Sequence, residues 1–142
     1  MYLLDTNVVS ELRKPRPHGA VLAWLESVPD EDLFVSAVTL GELQAGVEIT
    51  REQDPEKASE IEAWIDRVEE TWSVLPLDGR VLRLWGKLTH RRSDDLLVDA
   101  LIAATALVHR HVIVTRNTRD FGPLGVEVFD PFTAGGADPG NR

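Results

Sequence analysis

No cysteine occurs anywhere in the chain, which removes disulfides, thiolate nucleophiles and cysteine-based zinc sites at once. No apolar run approaches the roughly 20 residues that span a bilayer. The opening MYLLDTNVV has no basic stretch and meets a charge at Asp5, so it does not read as a secretory signal. These absences lead us to expect a soluble, cytoplasmic protein with no membrane association. Positive charge is also scarce. Fifteen Lys and Arg face 24 Asp and Glu, a net charge of −9, whereas a protein that grips a polyanion by bulk charge is basic. The overall balance suits a bound cation or a basic partner equally well, so local clusters have to decide. What the chain does have is 43% apolar residues over 142 positions, enough to build the core of one compact domain. It shows no internal repeat.

The apolar pattern alternates between short runs and helical periodicities. Strands are expected at Tyr2–Leu4, Leu33–Val35, Val74–Leu77, Val112–Thr115 and Val126–Phe129. Helices are expected at Val8–Lys14, Gly19–Val28, Thr39–Thr50, Pro55–Thr71, Gly79–Arg92 and Leu96–His109, several of them ended by proline. The last of these is apolar nearly all round and should be buried. Short apolar strands alternating with helices give an α/β fold: a central parallel sheet of about five strands, covered by helices on both faces. One domain should occupy residues 1–132. The Gly- and Pro-rich segment 133–142 reads as a flexible C-terminal tail.

In such a sheet, functional groups gather beyond the carboxyl ends of the strands. Asp5 ends the first strand, and the segment TRNTRD, with Asn117 and Asp120, follows a late one. Asp99 lies in LLVDALIAA, sharing its helical face with Leu96, Ile102, Ala103 and Asp95, and a carboxylate on an apolar face is costly unless paired or metal-bound. Each acid also has an ordinary reading. Asp5 could close an Asx-turn while Asn7 caps the first helix. Thr39–Glu42 fits a capping box with Thr39 as N-cap, Asp99 could face a helix dipole, and Asp120 could serve a turn before Phe121-Gly122-Pro123. Four acids converging on one sheet edge are harder to explain in this way. Carboxylate oxygens suit Mg²⁺ or Mn²⁺, and such an ion beside a phosphodiester can activate water and neutralise charge. The cation would also reverse the local field of an acidic protein.

Taken together, YLLDTNVVSEL, VSAVTLGELQAGV, DALIAATAL and VIVTRNTRDF, in this order from Tyr2 to Phe121, resemble the PIN-domain nucleases. Within them they resemble the VapC-type toxins of bacterial toxin–antitoxin pairs. The resemblance implies a Mg²⁺- or Mn²⁺-dependent endoribonuclease acting on RNA, a cognate antitoxin and a homodimer. It assigns Asp5, Glu42 and Asp99 to the acidic centre. Many relatives carry Asp where this chain has Asn117. Asp120 is therefore assigned as the fourth acid, and Asn117 as a polar group that positions metal-bound water.

Other chemistries fit less well. A phosphoaspartate enzyme of the haloacid-dehalogenase type wants Asp where Asn7 stands, and a receiver domain wants Lys where Arg116 follows Thr115. No Gly-rich phosphate loop or nucleophile elbow is present. His109 and His111 span a helix end and are not expected to share a ligand. Trp64 and Trp85 sit in apolar stripes that suit a core or a subunit interface. Two different functions remain compatible with the same acids: a non-catalytic scaffold that binds a cation or a basic peptide, and a DNA nuclease.

Overall fold

Five short, apolar strands form the sheet: β1 (Tyr2–Leu4), β2 (Leu33–Ser36), β3 (Ser73–Leu75), β4 (Val112–Val114) and β5 (Val128–Phe129). The structure, a computed structural model, describes residues 1–133. All the pairings are parallel, in the order β3-β2-β1-β4-β5. Seven α-helices lie among the described residues: α1 (Thr6–Glu11), α2 (Gly19–Glu26), α3 (Ala37–Arg51), α4 (Pro55–Thr71), α5 (Gly79–Thr89), α6 (Leu97–His109) and α7 (Thr118–Phe121).

Alternation along each strand sends side chains to opposite faces. Tyr2, Leu4, Leu33, Val35, Val112 and Val114 pack with residues of α1, α2 and α4. Leu3 and Ile113 face the other way, into a cluster with α6 residues Ala100, Ile102, Ala103 and Ala106 and with Phe121 of α7. The strands are buried on both faces, which is why they read as continuous apolar runs. Leu3 and Ile113 are fully buried, and truncating either to Ala should cost about 2–5 kcal/mol. A smaller cluster, Val47, Ala58 and Ile65, joins α3 to α4. Asp54 caps α4 by accepting from the Lys57 backbone N–H at 3.1 Å, with Pro55 in the first turn.

The expected layers are present, and several element ends have moved. The first helix starts at Thr6, capped by the Asp5 side chain, so Asn7 is not its N-cap. Helix α3 starts at Ala37 with Ser36 as N-cap, which displaces Thr39 from that role. The Ser hydroxyl at the end of a strand competes for the first free N–H groups before the Thr can. Helix α5 ends at Thr89, and Arg91 then takes a left-handed φ of 60°. Ser93 caps a 3₁₀ turn, Asp94–Leu96, before α6. The start of α6 is more open than its composition suggests, with Leu97 38% and Val98 40% exposed. Of the segment expected as a tail, Thr133 is described, and its hydroxyl donates to Asp130 O at 3.0 Å. Residues 134–142 lie outside the described part. No helix among the described residues is long and apolar enough to cross a membrane.

At the amino-terminal edge of the sheet, His111 precedes β4 and is only 9% exposed, with its ring against Phe34 at 4.5 Å. The His109 and His111 rings lie 5.9 Å apart, closer than the sequence spacing suggests. Burial, then the charges of the amino terminus and His109, lowers the His111 pKa from 6.5 to about 4. A depressed imidazole pKa makes folding stability fall as pH drops from about 6.5 towards 4, because only the unfolded chain takes the proton readily. Thermal melts of wild type and His111→Phe across that range should diverge, with the variant losing less stability on acidification.

Candidate active site

The strand order reverses at β1. The chain builds β2 and β3 on one side of it, then crosses to place β4 and β5 on the other. The carboxyl ends of β1 and β4 therefore form the switch-point crevice where open α/β sheets bind ligands. Asp5 leaves β1 there and Thr115 leaves β4. Their elements are joined by Asp5 N–H donating to Val114 O at 2.9 Å.

The Asp5 carboxylate is 5% exposed and fully engaged. It accepts from Thr115 Oγ1 at 2.8 Å, from Thr6 N–H at 2.8 Å and from Asn7 Nδ2 at 3.2 Å. Burial raises its pKa; the Thr115 and Thr6 hydrogen bonds oppose that rise, and the nearby Glu42 charge adds to it. Asn7 also donates to Thr115 Oγ1 at 3.3 Å and accepts from Arg116 N–H at 3.3 Å. It thus fastens α1 to the loop after β4.

Glu42 reaches the same place from α3. The Thr6 hydroxyl lies 2.7 Å from Glu42 Oε1 and 3.0 Å from the buried Thr39 Oγ1. Glu42 is not the acid of a capping box, because the cap lies upstream at Ser36. Asn117 donates its backbone N–H to Thr115 Oγ1 at 2.9 Å and its side-chain amide to Asp120 Oδ2 at 2.8 Å.

Asp99 is half-buried in the first turn of α6. A helix N-terminus lowers a carboxyl pKa, yet this one is raised from 3.8 to about 6, by burial first and then by the charges of Asp5, Asp120 and Glu42. Desolvation and repulsion outweigh the dipole. The four acids named from the sequence therefore share one field. Among the described residues, no three His, Cys, Asp or Glu side chains stand close enough to cage an ion as they are placed. The donor set is all oxygen, and the raised Asp99 pKa marks the repulsion that a cation would relieve. Its chemistry fits Mg²⁺ or Mn²⁺.

Residues 2–122 match the PIN domain family. The chain belongs to it. Over 143 aligned residues it is 34% identical to Toxin FitB of Neisseria gonorrhoeae, covering 93% of this chain and 99% of the relative. It is also 34% identical to VapC ribonuclease Y4jK of Sinorhizobium fredii, covering 93% and 98%. In structure it is similar to FitAcB from Neisseria gonorrhoeae, with a TM-score of 0.84 and 33% identity over 94% of this chain and 100% of that one. A toxin–antitoxin complex from Klebsiella pneumoniae aligns with a TM-score of 0.65 and 25% identity, covering 94% and 100%.

In this PIN domain, sequence reasoning named all four acids but missed the residues that hold them. Thr6, Thr39 and Thr115 carry the connecting hydroxyls, and Asn7 was read only as a cap. Thr115 had a readable signal, a hydroxyl placed directly after a buried β-branched strand. Thr39 had none, because its partner, Thr6, is 33 residues away.

The shift at Asp99 has a definite sign. A carboxyl with a raised folded-state pKa contributes full stability below its unfolded value near 3.8, and that contribution is lost as pH rises through about 6. Without divalent cation, Asp99→Asn should therefore melt higher than wild type at neutral pH. The gap should close below about pH 4, where both side chains are uncharged. Paired melts in EDTA at the two pH values measure it.

Proposed function

We propose that this PIN-domain protein is a divalent-cation-dependent endoribonuclease, the toxin of a toxin–antitoxin pair acting in the cytoplasm. One observation carries the reading: hydrogen bonds through Thr6, Thr115 and Asn117 gather Asp5, Glu42 and Asp120 at the sheet's switch point, and burial together with their charges raises the pKa of Asp99. The relatives named as a ribonuclease and as a toxin support it.

Asp5, Glu42, Asp99 and Asp120 would hold Mg²⁺ or Mn²⁺. When bound, the ion would neutralise phosphate charge and lower the pKa of an attacking water. The protein supplies position. Thr115 and the Thr6 amide hold the Asp5 carboxylate in one orientation. Thr6 holds Glu42, and Asn117 holds Asp120. Asn117 therefore acts through the fourth acid, a closer role than orienting a metal-bound water directly. Asp99 must be ionised to serve as a ligand. In the metal-free protein its raised pKa means that proton and cation compete at this side chain, so cation affinity should weaken as pH falls below about 6.

A freely active ribonuclease in the cytoplasm needs restraint, which supports a cognate antitoxin as partner. Self-association has support at a different surface from the one the tryptophans suggested. Trp64 packs against the α3–α4 cluster, and Trp85 donates to Leu97 O at 3.0 Å. The large apolar side chains left open on α5 and α6 are Leu82, Leu97 and Val98. A homodimer through this edge would cover them. Light scattering should report a dimer for wild type and a monomer for Leu97→Asp; a wild-type monomer at high micromolar concentration defeats the dimer.

The activity itself is tested on purified protein with Mn²⁺ and an RNA pool. Cleavage should be lost in EDTA and in Asp5→Asn. In Glu42→Gln, which keeps the hydrogen bond to Thr6 but not the charge, activity should fall by about tenfold or more with little change in melting temperature. Equal cleavage by wild type and Asp5→Asn, or cleavage of DNA alone, overturns the reading.

A further inference from the structure

Among the described residues, no basic side chain is hydrogen-bonded into the acidic site, and the adjoining loop holds an arginine in place. Arg116 follows Thr115, the residue that binds Asp5, and its backbone N–H donates to Asn7 Oδ1 at 3.3 Å. Its guanidinium carbon lies 3.7 Å from the centroid of the Phe132 ring. Phe132 is a firm support. It is partly buried against the core, its N–H donates to Asp130 Oδ1 at 2.8 Å, and its ring meets His18 at 5.4 Å.

Glu11 of α1, with its side chain only 6% exposed, is bound to the same His18 whose ring meets Phe132. Its carboxylate accepts from Lys14 Nζ at 2.9 Å and from His18 N–H at 3.0 Å. The hydrogen bond from Lys14 does most to lower its pKa, and the Arg116 charge also contributes. Arg116 thus has an aromatic ring against its face and a carboxylate within electrostatic range. The donor edge of the guanidinium makes no hydrogen bond or ion pair among the described residues. Arg51 is a contrast, with its donors taken by Glu48 and Glu62.

An arginine braced through its face and free along its edge can bind a phosphate bidentately with little further loss of side-chain entropy. We propose that Arg116, stacked on Phe132 and beside Glu11, binds a backbone phosphate of single-stranded RNA that flanks the cleaved bond and sets the strand's register over the acidic site. This rests on the ribonuclease reading above. It makes Arg116 a substrate-positioning residue. Phe132 and Glu11 act through it.

The test uses a fluorescein-labelled single-stranded RNA of randomised sequence with Mn²⁺. Binding is read by anisotropy across a KCl series, and cleavage by loss of full-length RNA. Arg116→Ala should weaken binding by about tenfold and flatten the log–log salt dependence by about 0.7, the value for one phosphate contact on a single strand. Arg116→Lys should restore the salt slope but only part of the affinity, since it keeps the charge and loses the planar fork. Phe132→Leu should weaken binding severalfold with the salt slope unchanged. Melting temperature and Mn²⁺ affinity should stay near wild type in all three. If wild type cleaves while Arg116→Ala binds with the same affinity and salt slope, the Arg116 assignment fails and the ribonuclease reading stands. A lower melting temperature in Arg116→Ala with an unchanged salt slope would make the residue a structural brace and also overturns the assignment. If wild type neither binds nor cuts RNA, both fail together.

Discussion

The hydrogen bond from Thr115 Oγ1 to Asp5 Oδ2, 2.8 Å long and buried, ties together everything else at the carboxyl edge of the sheet. It closes the seam between β1 and β4, where the strand order reverses. It also fixes a carboxylate that would otherwise be costly to bury. The Asp5 carboxylate then caps α1 through the Thr6 amide, a contact of a kind worth about 1 kcal/mol. The capped helix presents the Thr6 hydroxyl to Glu42 and Thr39 of α3. On the other side, the same Thr115 oxygen accepts the Asn117 amide, and Asn117 holds Asp120. Three of the four acids are thus linked through two threonine hydroxyls and an asparagine, with no basic side chain among the described residues hydrogen-bonded to any of them.

That choice of partners matters for the electrostatics. Glu48, Glu62 and Glu11 have depressed pKa values because arginine or lysine donates to them. The edge acids are held by neutral donors instead. Neutral donors orient a carboxylate without cancelling its charge, so the repulsion remains and shows at Asp99, which lies in a helix's first turn and still has a raised pKa. A lysine or arginine hydrogen-bonded to these carboxylates, as at Glu48, Glu62 and Glu11, would instead cancel the negative field that attracts a cation.

The layers and topology class were legible because parallel strands covered on both faces leave an unmistakable pattern of short apolar runs. Asp5 and Asp99 stood out because they sit beside or within those runs, whereas Glu42 and Asp120 were named through the family resemblance. Element ends were less legible. Asp5 and Ser36 each act as both a strand end and a helix cap, so the helices begin two residues earlier than periodicity indicates. The network of Thr6, Thr39 and Thr115 was hidden for a different reason. Each threonine alone is an ordinary strand-end or helix-start residue, and their contacts are remote in sequence: Thr6 meets Thr39 across 33 positions, and Thr115 meets Asp5 across 110. The aromatic support of Arg116 was equally illegible, because it lies beyond β5, at Phe132.

Helix α6 connects the two edges of the sheet. It carries Asp99 in its first turn and His109 in its last, close to His111. Between its ends the buried face is built mostly of alanine, Ala100, Ala103, Ala104 and Ala106, which lets the helix lie close against Leu3 and Ile113. Asp99 in its first turn and His111, just beyond its last, are both penalised by burial when charged, with opposite signs. Acidification relieves Asp99 and burdens His111, while neutral pH does the reverse. The metal-free fold therefore carries a burial penalty at Asp99 when the pH is neutral and at His111 when it is acidic. At neutral pH the penalty lies at the carboxyl edge, where a bound cation could relieve it. Stability and cation affinity are then linked, because the repulsion that weakens the empty fold is the same interaction that favours the ion.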